Sequence, residues 1–230
     1  MRKLQLMLAA GPGGDARRLA YVLLDEVGFV KRYPGGTFRL ALRDEAARAA
    51  YPHMGVPEFA AVLELGVPEG TGDAPLVARA AALGPLVAPL IDGAGSVALL
   101  GDEDVIVPGE GGFQLFRCMT RKEGLTLEQF SDHWRNIHAE FGRKVPGRPG
   151  YRQLHRDPAA TSAAAKAAGV AVDTVDGDAQ LLFADERAVA LMGTDPEQAK
   201  ATAADGALFV DRSKAMGMIA HVVATAGPLV

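Results

Sequence analysis

Short alternating and apolar runs mark out strands along this chain, and Gly/Pro-rich breaks separate them. Leu4 to Ala9 reads as an opening strand, followed by the loop Gly11-Pro12-Gly13-Gly14 and a helix from Asp15 to about Gly28. Strands are predicted at 37–42 and 59–67, an Ala-rich helix at 74–90 and a strand at 96–107. Pro85 and Pro89 each remove a backbone donor, which predicts a kinked or fragmented helix. The stretch Pro108-Gly109-Glu110-Gly111-Gly112 is the clearest linker. After it the order repeats: strand 113–119, helix 127–141, strands 151–156 and 179–183, helical segments over 186–207, and a strand at 214–224.

Each half therefore reads β-α-β-β-α-β, the ferredoxin-like unit, and the fold class is α+β with two tandem halves, 1–108 and 113–230. Such a half carries both helices on one face of an antiparallel sheet, so the other face needs a cover. The two sheets can cover each other within one chain, or whole chains can pair as a homodimer; the sequence leaves both open. Between Asp157 and Asp178 the second half inserts an Ala-rich piece over 159–168. It reads as an exposed helix or as a cover over a neighbouring pocket.

The best-specified element starts after Thr126. Thr126 and Gln129 fit a capping box. Leu127, Phe130, Trp134, Ile137 and Phe141 then form one apolar stripe. At about 100° per residue, His138 lies roughly 40° from Trp134 and points towards the sheet. His133 projects from the other side of the stripe, which argues against joint metal ligation, and no HExxH pattern occurs. A lone histidine beside an apolar face is usually a satisfied core residue. The next strand changes that weighting, because alternation puts Tyr151, Gln153 and His155 on one face. If that face looks at the helix, these groups and His138 converge beneath Trp134. If it looks the other way, they line the space between the sheets or meet solvent.

Composition narrows the classes. Hydrophobic residues make up 49% of the 230, enough for a substantial core, and the net charge of −4 gives no electrostatic reason to expect nucleic acid or an acidic membrane. Cys118 is the one cysteine, so an internal disulfide and a Cys-based zinc site are excluded, and its neighbours suggest a buried strand thiol. The apolar run after Arg2 and Lys3 is too short for a signal peptide, and no stretch is long enough to span a bilayer, which predicts a cytoplasmic protein with no membrane partner.

The residues Leu125-Thr126-Leu127-Glu128-Gln129-Phe130, His133-Trp134, His138, Pro146-Gly147, Gly150-Tyr151 and His155 together resemble the EthD domain. Phe209-Val210-Asp211-Arg212-Ser213 resembles the segment before that family's last strand, so the likeness runs over about 113–223. His133 departs from it, standing where the family usually has an aromatic residue. The resemblance implies the dimeric α+β barrel superfamily and cofactor-free dehydratases, lactone isomerases and cyclases. It implies His138 and His155 as a catalytic acid/base pair, and Trp134, Tyr151 and Asp211 as substrate-binding residues. Asp211 is equally readable as a turn aspartate capping backbone. Imidazole suits such chemistry because its ordinary pKa lies near neutrality. The first half lacks the motif: its helix offers Tyr21, Asp25 and Glu26 and no histidine, so it reads as a degenerate copy.

Other signals carry less. Gly11-Pro12-Gly13-Gly14-Asp15-Ala16 fits G-x-G-x-x-A, but no acidic residue ends a strand about 20 positions on, so nicotinamide binding is not expected. Asp102-Glu103-Asp104 reads as a solvated turn, His53 as a loop residue without a partner, and His221 as a packed or barrel-facing residue. The leading expectation is a small-molecule lyase or isomerase, without cofactor or metal, acting on an aromatic, polyketide-like or lactone intermediate. The alternatives are an oxygenase or haem protein on the same fold, and a non-catalytic accessory protein.

Overall fold

A computed structural model describes residues 1–46, 59–147, 149–171, 175–192 and 194–228. The predicted His53 loop lies outside them. Among the described residues are eight strands: β1 (Arg2–Ala9), β2 (Thr37–Arg43), β3 (Phe59–Val67), β4 (Val97–Val107), β5 (Phe113–Met119), β6 (Gly150–Arg156), β7 (Gly177–Phe183) and β8 (Met216–Ala226). They close into one barrel in the order β1-β3-β2-β8-β5-β7-β6-β4. Within each half the strands keep the same relative order, fourth-first-third-second. The halves join edge to edge through the antiparallel pairs β2–β8 and β4–β6. The barrel closes within one chain, so no partner chain is needed to complete it.

Alternation explains what fills each side. On β1, Leu4, Leu6 and Leu8 face outwards into the first-half helices, while Met7 joins the barrel interior with Val62, Leu99, Phe116 and Met218. One end of the interior is polar. Glu64 accepts from Lys3 at 3.0 Å and from Gln114 at 3.1 Å. Burial would raise the Glu64 pKa, but Lys3 and Arg39 outweigh it and hold it at about 2. Asp178 accepts from Gln5 at 2.8 Å, and burial still pushes its carboxyl up to about 7. Cys118 is buried beside Met7, as expected.

Three sequence expectations fail here for reasons of register and packing. Asp102-Glu103-Asp104 is no turn: β4 runs straight through it, turning Glu103 inwards onto Lys3 while Asp102 meets Arg2 outside. His221 faces outwards on β8, ion-paired to Asp44 and stacked on Phe113 at 4.2 Å, because its neighbours Ala220 and Met218 take the inward and core positions. The Ala-rich insert is a helix, Pro158–Ala168, that is exposed along one side only and lines no part of the cavity in the second half. Its small face (Ala160, Thr161, Ala164, Ala165, Ala168) is buried against the helix Ala74–Val87 and β4. The fit is close enough that a Cβ on Gly84 would lie 2.9 Å from the Ala167 carbonyl oxygen.

Numbered in chain order, the helices are α1 (Ala16–Leu23), α2 (Phe29–Arg32), α3 (Ala74–Val87), α4 (Leu127–His133), α5 (Ala139–Gly142), α6 (Pro158–Ala168), α7 (Glu186–Ala190) and α8 (Pro196–Phe209). α3 runs through Pro85 to Val87, so the helix is not broken at that proline. The Gly11–Gly14 loop packs on the turn after α3; a Cβ on Gly14 would meet the Leu90 carbonyl oxygen at 1.9 Å, and Asp15 caps α1 through the Arg18 amide. In the first half, Leu19, Leu23, Phe29, Leu76 and Leu83 fill the space between helices and sheet. Of the polar residues its helix offered, Glu26 is buried on Arg79 and Tyr21 is 83% exposed.

Candidate active site

The second half leaves open the space that the first half fills. A cavity of about 410 Å³ lies between the outer face of its sheet and the helices above, within the size range of small-molecule sites. Alternation sends Leu115, Arg117 and Met119 of β5 outwards to its floor, beside Ala179 and Leu181 of β7 and Tyr151 of β6. The roof is one face of α8. Ala199, Ala203 and Gly206 recur there at helical spacing, and their small side chains leave the volume unfilled.

His138 reaches the cavity wall through a backbone irregularity. α4 starts at the predicted capping box, Gln129 N–H donating to the Thr126 hydroxyl at 3.1 Å and the Thr126 amide to Gln129 at 2.9 Å. It then passes through a π turn, Trp134–His138, in which the Ala139 amide reaches back to the Trp134 carbonyl. Such turns insert one extra residue and rotate everything after it. Phe130 and Trp134 remain fully buried, but Ile137, predicted on the same stripe, is turned out and is 51% exposed. The same rotation corrects the reading of the two histidines. In a regular helix, residues five apart diverge by about 140°; across the wider turn both rings meet one carboxylate. Asp205 on α8 lies 2.6 Å from His138 Nδ1 and 3.1 Å from His133 Nε2. Phe209 packs against both rings, with centroids at 5.0 Å and 4.7 Å.

Burial lowers the His138 pKa, and Asp205 only partly opposes it, with His133 and Arg117 adding to the depression. The ring is therefore neutral at pH 7. With its Nδ1 proton donated to Asp205, Nε2 carries the lone pair and makes no bond among the described residues. An imidazole oriented by a carboxylate, on the wall of an apolar cavity, is equipped to take up a proton from a guest.

His155 does not join it. Tyr151, Gln153 and His155 do share the strand face that looks at the helix, yet the Trp134 ring packs over His155 on that face. His155 stacks on the Trp134 ring at 4.5 Å and is 4% exposed, away from the cavity. The predicted pair of imidazoles is therefore split, because the largest side chain in the chain sits between the strand and the π turn. Trp134 needs a bare strand beneath it: a Cβ on Gly177 would lie 2.4 Å from the ring. The His155 pKa falls to about 4 through burial and the nearby Arg135, against Asp104. Its Nε2 contacts Gln153 Oε1 at 3.1 Å, which fixes the tautomer and leaves Nδ1 buried without a partner.

Gln153 passes the order on. Its amide donates to the Trp134 carbonyl at 3.1 Å and to the Tyr151 hydroxyl at 3.0 Å, which also accepts from Trp134 Nε1 at 2.9 Å. The phenol already receives two donors, and its own proton has no acceptor among the described residues. Burial pushes its pKa up to about 12, so the proton stays on. Trp134 thus contacts Tyr151, which lines the cavity, and does not line it itself. Asp211 is a turn residue: it accepts from the Ser213 amide at 3.1 Å and hydroxyl at 2.6 Å, and does not line the cavity. Two further residues stand at the cavity, Asp205 through its contact with His138 and Arg117 in the lining. Asp205 belongs to no motif in the sequence; an acidic side chain beside the Ala199-Ala203-Gly206 face of a helix with no apolar stripe is the only sign of it. Arg117 was legible only as an outward charge on a strand otherwise built for packing.

The sequence model of the EthD domain matches residues 122–213, which carry the π turn, His138 and Asp205. No protein of curated function matches the chain significantly. Among solved structures, an anthrone oxidase-like protein superposes with a TM-score of 0.59 at 13% identity, covering 98% of this chain and 92% of its own. A protein assigned as a chlorite dismutase gives 0.58 at 9% identity, covering 97% and 94%. One assigned as a monooxygenase, from Lactobacillus acidophilus, gives 0.56 at 12%, covering 98% and 95%. At these identities the likeness is one of fold, and the fold is the α+β barrel. No helix among the described residues is long and apolar enough to cross a membrane.

Proposed function

We propose that the EthD domain at 122–213 supplies the active site of a small-molecule enzyme in which His138 is the general base. The chemistry is cofactor-independent proton transfer at an activated carbon, of the lyase or isomerase type. The observation that carries this reading is the 2.6 Å contact between Asp205 and His138 Nδ1 at the wall of an otherwise apolar cavity. A ring-bearing guest would lie on Leu115, Met119 and Leu181, with the acidic C–H against His138 Nε2. Tyr151, whose proton is uncommitted, would donate to the enolate oxygen that develops. The tandem ferredoxin-like reading, 1–108 and 113–230, is supported by the repeated strand order; the cavity described above belongs to the second unit.

The test uses a probe ketone rather than the unknown substrate. In D₂O the protein should exchange the α-protons of 2-tetralone, followed by NMR, and His138→Ala should slow this by ~10²–10⁴-fold. Exchange at the wild-type rate in a folded His138→Ala protein would remove the role. An oxygenase is the second reading, favoured by the names of two of the fold relatives. A carbanion formed by the same base could meet oxygen, and turnover under strictly anaerobic conditions would exclude it. A haem reading would have to use His138 as axial ligand, since it is the one imidazole on the cavity wall among the described residues; a Soret band in the purified protein would show it. A merely binding, accessory protein would hold 2-tetralone without exchanging it.

A further inference from the structure

Most of the cavity lining is apolar, and Arg117 is a charged group on its floor. Arg117 projects from β5 into it between two small neighbours, Ala179 on β7 and Gly217 on β8, which leave room around the side chain. It makes no hydrogen bond or ion pair among the described residues. The side chain is exposed and lines the cavity, so it is open to a guest. Desolvation first, and then Arg212, lower its pKa. Arg212 itself is engaged, donating to the Ala203 carbonyl. The acidic groups nearby are committed elsewhere. Asp205 is covered by His133 and His138. Asp195 sits at the exposed rim, capping α8 through the Gln198 amide at 3.0 Å.

A charge set among apolar residues gains from a partner of opposite charge, the more so when an apolar guest displaces the water around it. Arg117 has the opposite arrangement, a like charge as its nearest electrostatic neighbour. A ligand that brings a carboxylate would relieve both the desolvation and the repulsion, and the planar guanidinium fork matches a carboxylate in two bonds. We infer that the guest of this cavity is an apolar, ring-bearing acid whose carboxylate is held by Arg117. The inference rests on the cavity being the substrate site proposed above, and it names the substrate class; it does not depend on His138 being the base.

Calorimetry with 2-naphthoate and its neutral counterpart 2-naphthamide separates the two. Wild-type protein should bind the carboxylate about 10-fold or more tighter than the amide. Arg117→Met should abolish that preference while leaving the amide's affinity within about twofold, and Arg117→Lys should retain part of it. His138→Ala should keep the preference intact even as it loses α-proton exchange, so failure of the base leaves this inference standing. Equal affinities in the wild type, binding of neither compound, or an unchanged preference in Arg117→Met would overturn it.

Discussion

His155→Gln distinguishes a structural histidine from a catalytic acid, and its effect can be worked from the structure. His155 is 4% exposed and its pKa is lowered from 6.5 to about 4, chiefly by burial. A base with a depressed folded pKa is protonated more readily in the unfolded chain. Its contribution to stability is therefore fully present above pH ~6.5 and is lost as pH falls towards 4. The full difference of about 2.5 pKa units corresponds to about 3 kcal/mol, and about 2 kcal/mol of it is already lost at pH 5. Glutamine does not titrate and can still donate an amide proton towards Gln153. Urea denaturation of both proteins at pH 7.5 and pH 5 should show the wild type losing about 2 kcal/mol more than the variant between the two. Asp178, with a raised pKa, acts in the opposite direction over part of the same range, but it is common to both proteins and cancels in the comparison. Identical pH dependence in the two would mean that His155 titrates normally and that the buried, neutral ring is wrong.

Other perturbations test the remaining parts. Asp205→Asn should lower turnover by about 10–100-fold, mainly in kcat, and should lower the His138 pKa further, read by NMR titration, because the opposing carboxylate is gone. Tyr151→Phe leaves the Trp134 and Gln153 donors buried without an acceptor and should cost about 1–3 kcal/mol in urea denaturation. Gly206→Leu projects a side chain from the α8 roof towards His138, and should abolish binding of 2-tetralone by calorimetry while the far-UV circular dichroism is unchanged. Glu103→Ala strands Lys3 near a single remaining carboxylate inside the barrel and should cost about 3 kcal/mol or more of stability.

Much of the scaffold is readable from alternation and Gly/Pro breaks alone, because a strand's period of two survives in Leu4-Gln5-Leu6-Met7-Leu8 and Phe113-Gln114-Leu115-Phe116 whatever the tertiary context. The closure of two sheets into a barrel is not, since β2–β8 and β4–β6 pair residues far apart in sequence through backbone groups that every residue shares. Of the site, His138 was reachable through its capping box, its flank position and the motif around it. The π turn was hidden because an extra residue in a helix leaves no local mark, and without it the shared Asp205 could not be foreseen. Asp211 was drawn in by its segment, whereas the carboxylate that meets His138 lies six residues earlier on α8. Alternation groups His155 with Tyr151 and Gln153 but leaves open which way that face looks, and only the volume of Trp134 decides that the ring packs.

Imidazole resonances offer the most direct discrimination, since the chain has five histidines and each can be assigned by single substitution. Titration of 2-tetralone into protein labelled at the histidine rings should shift the His138 signal saturably and leave that of His155 in place. A response at His155 with none at His138, or no response at either, would contradict the placement of the reacting base.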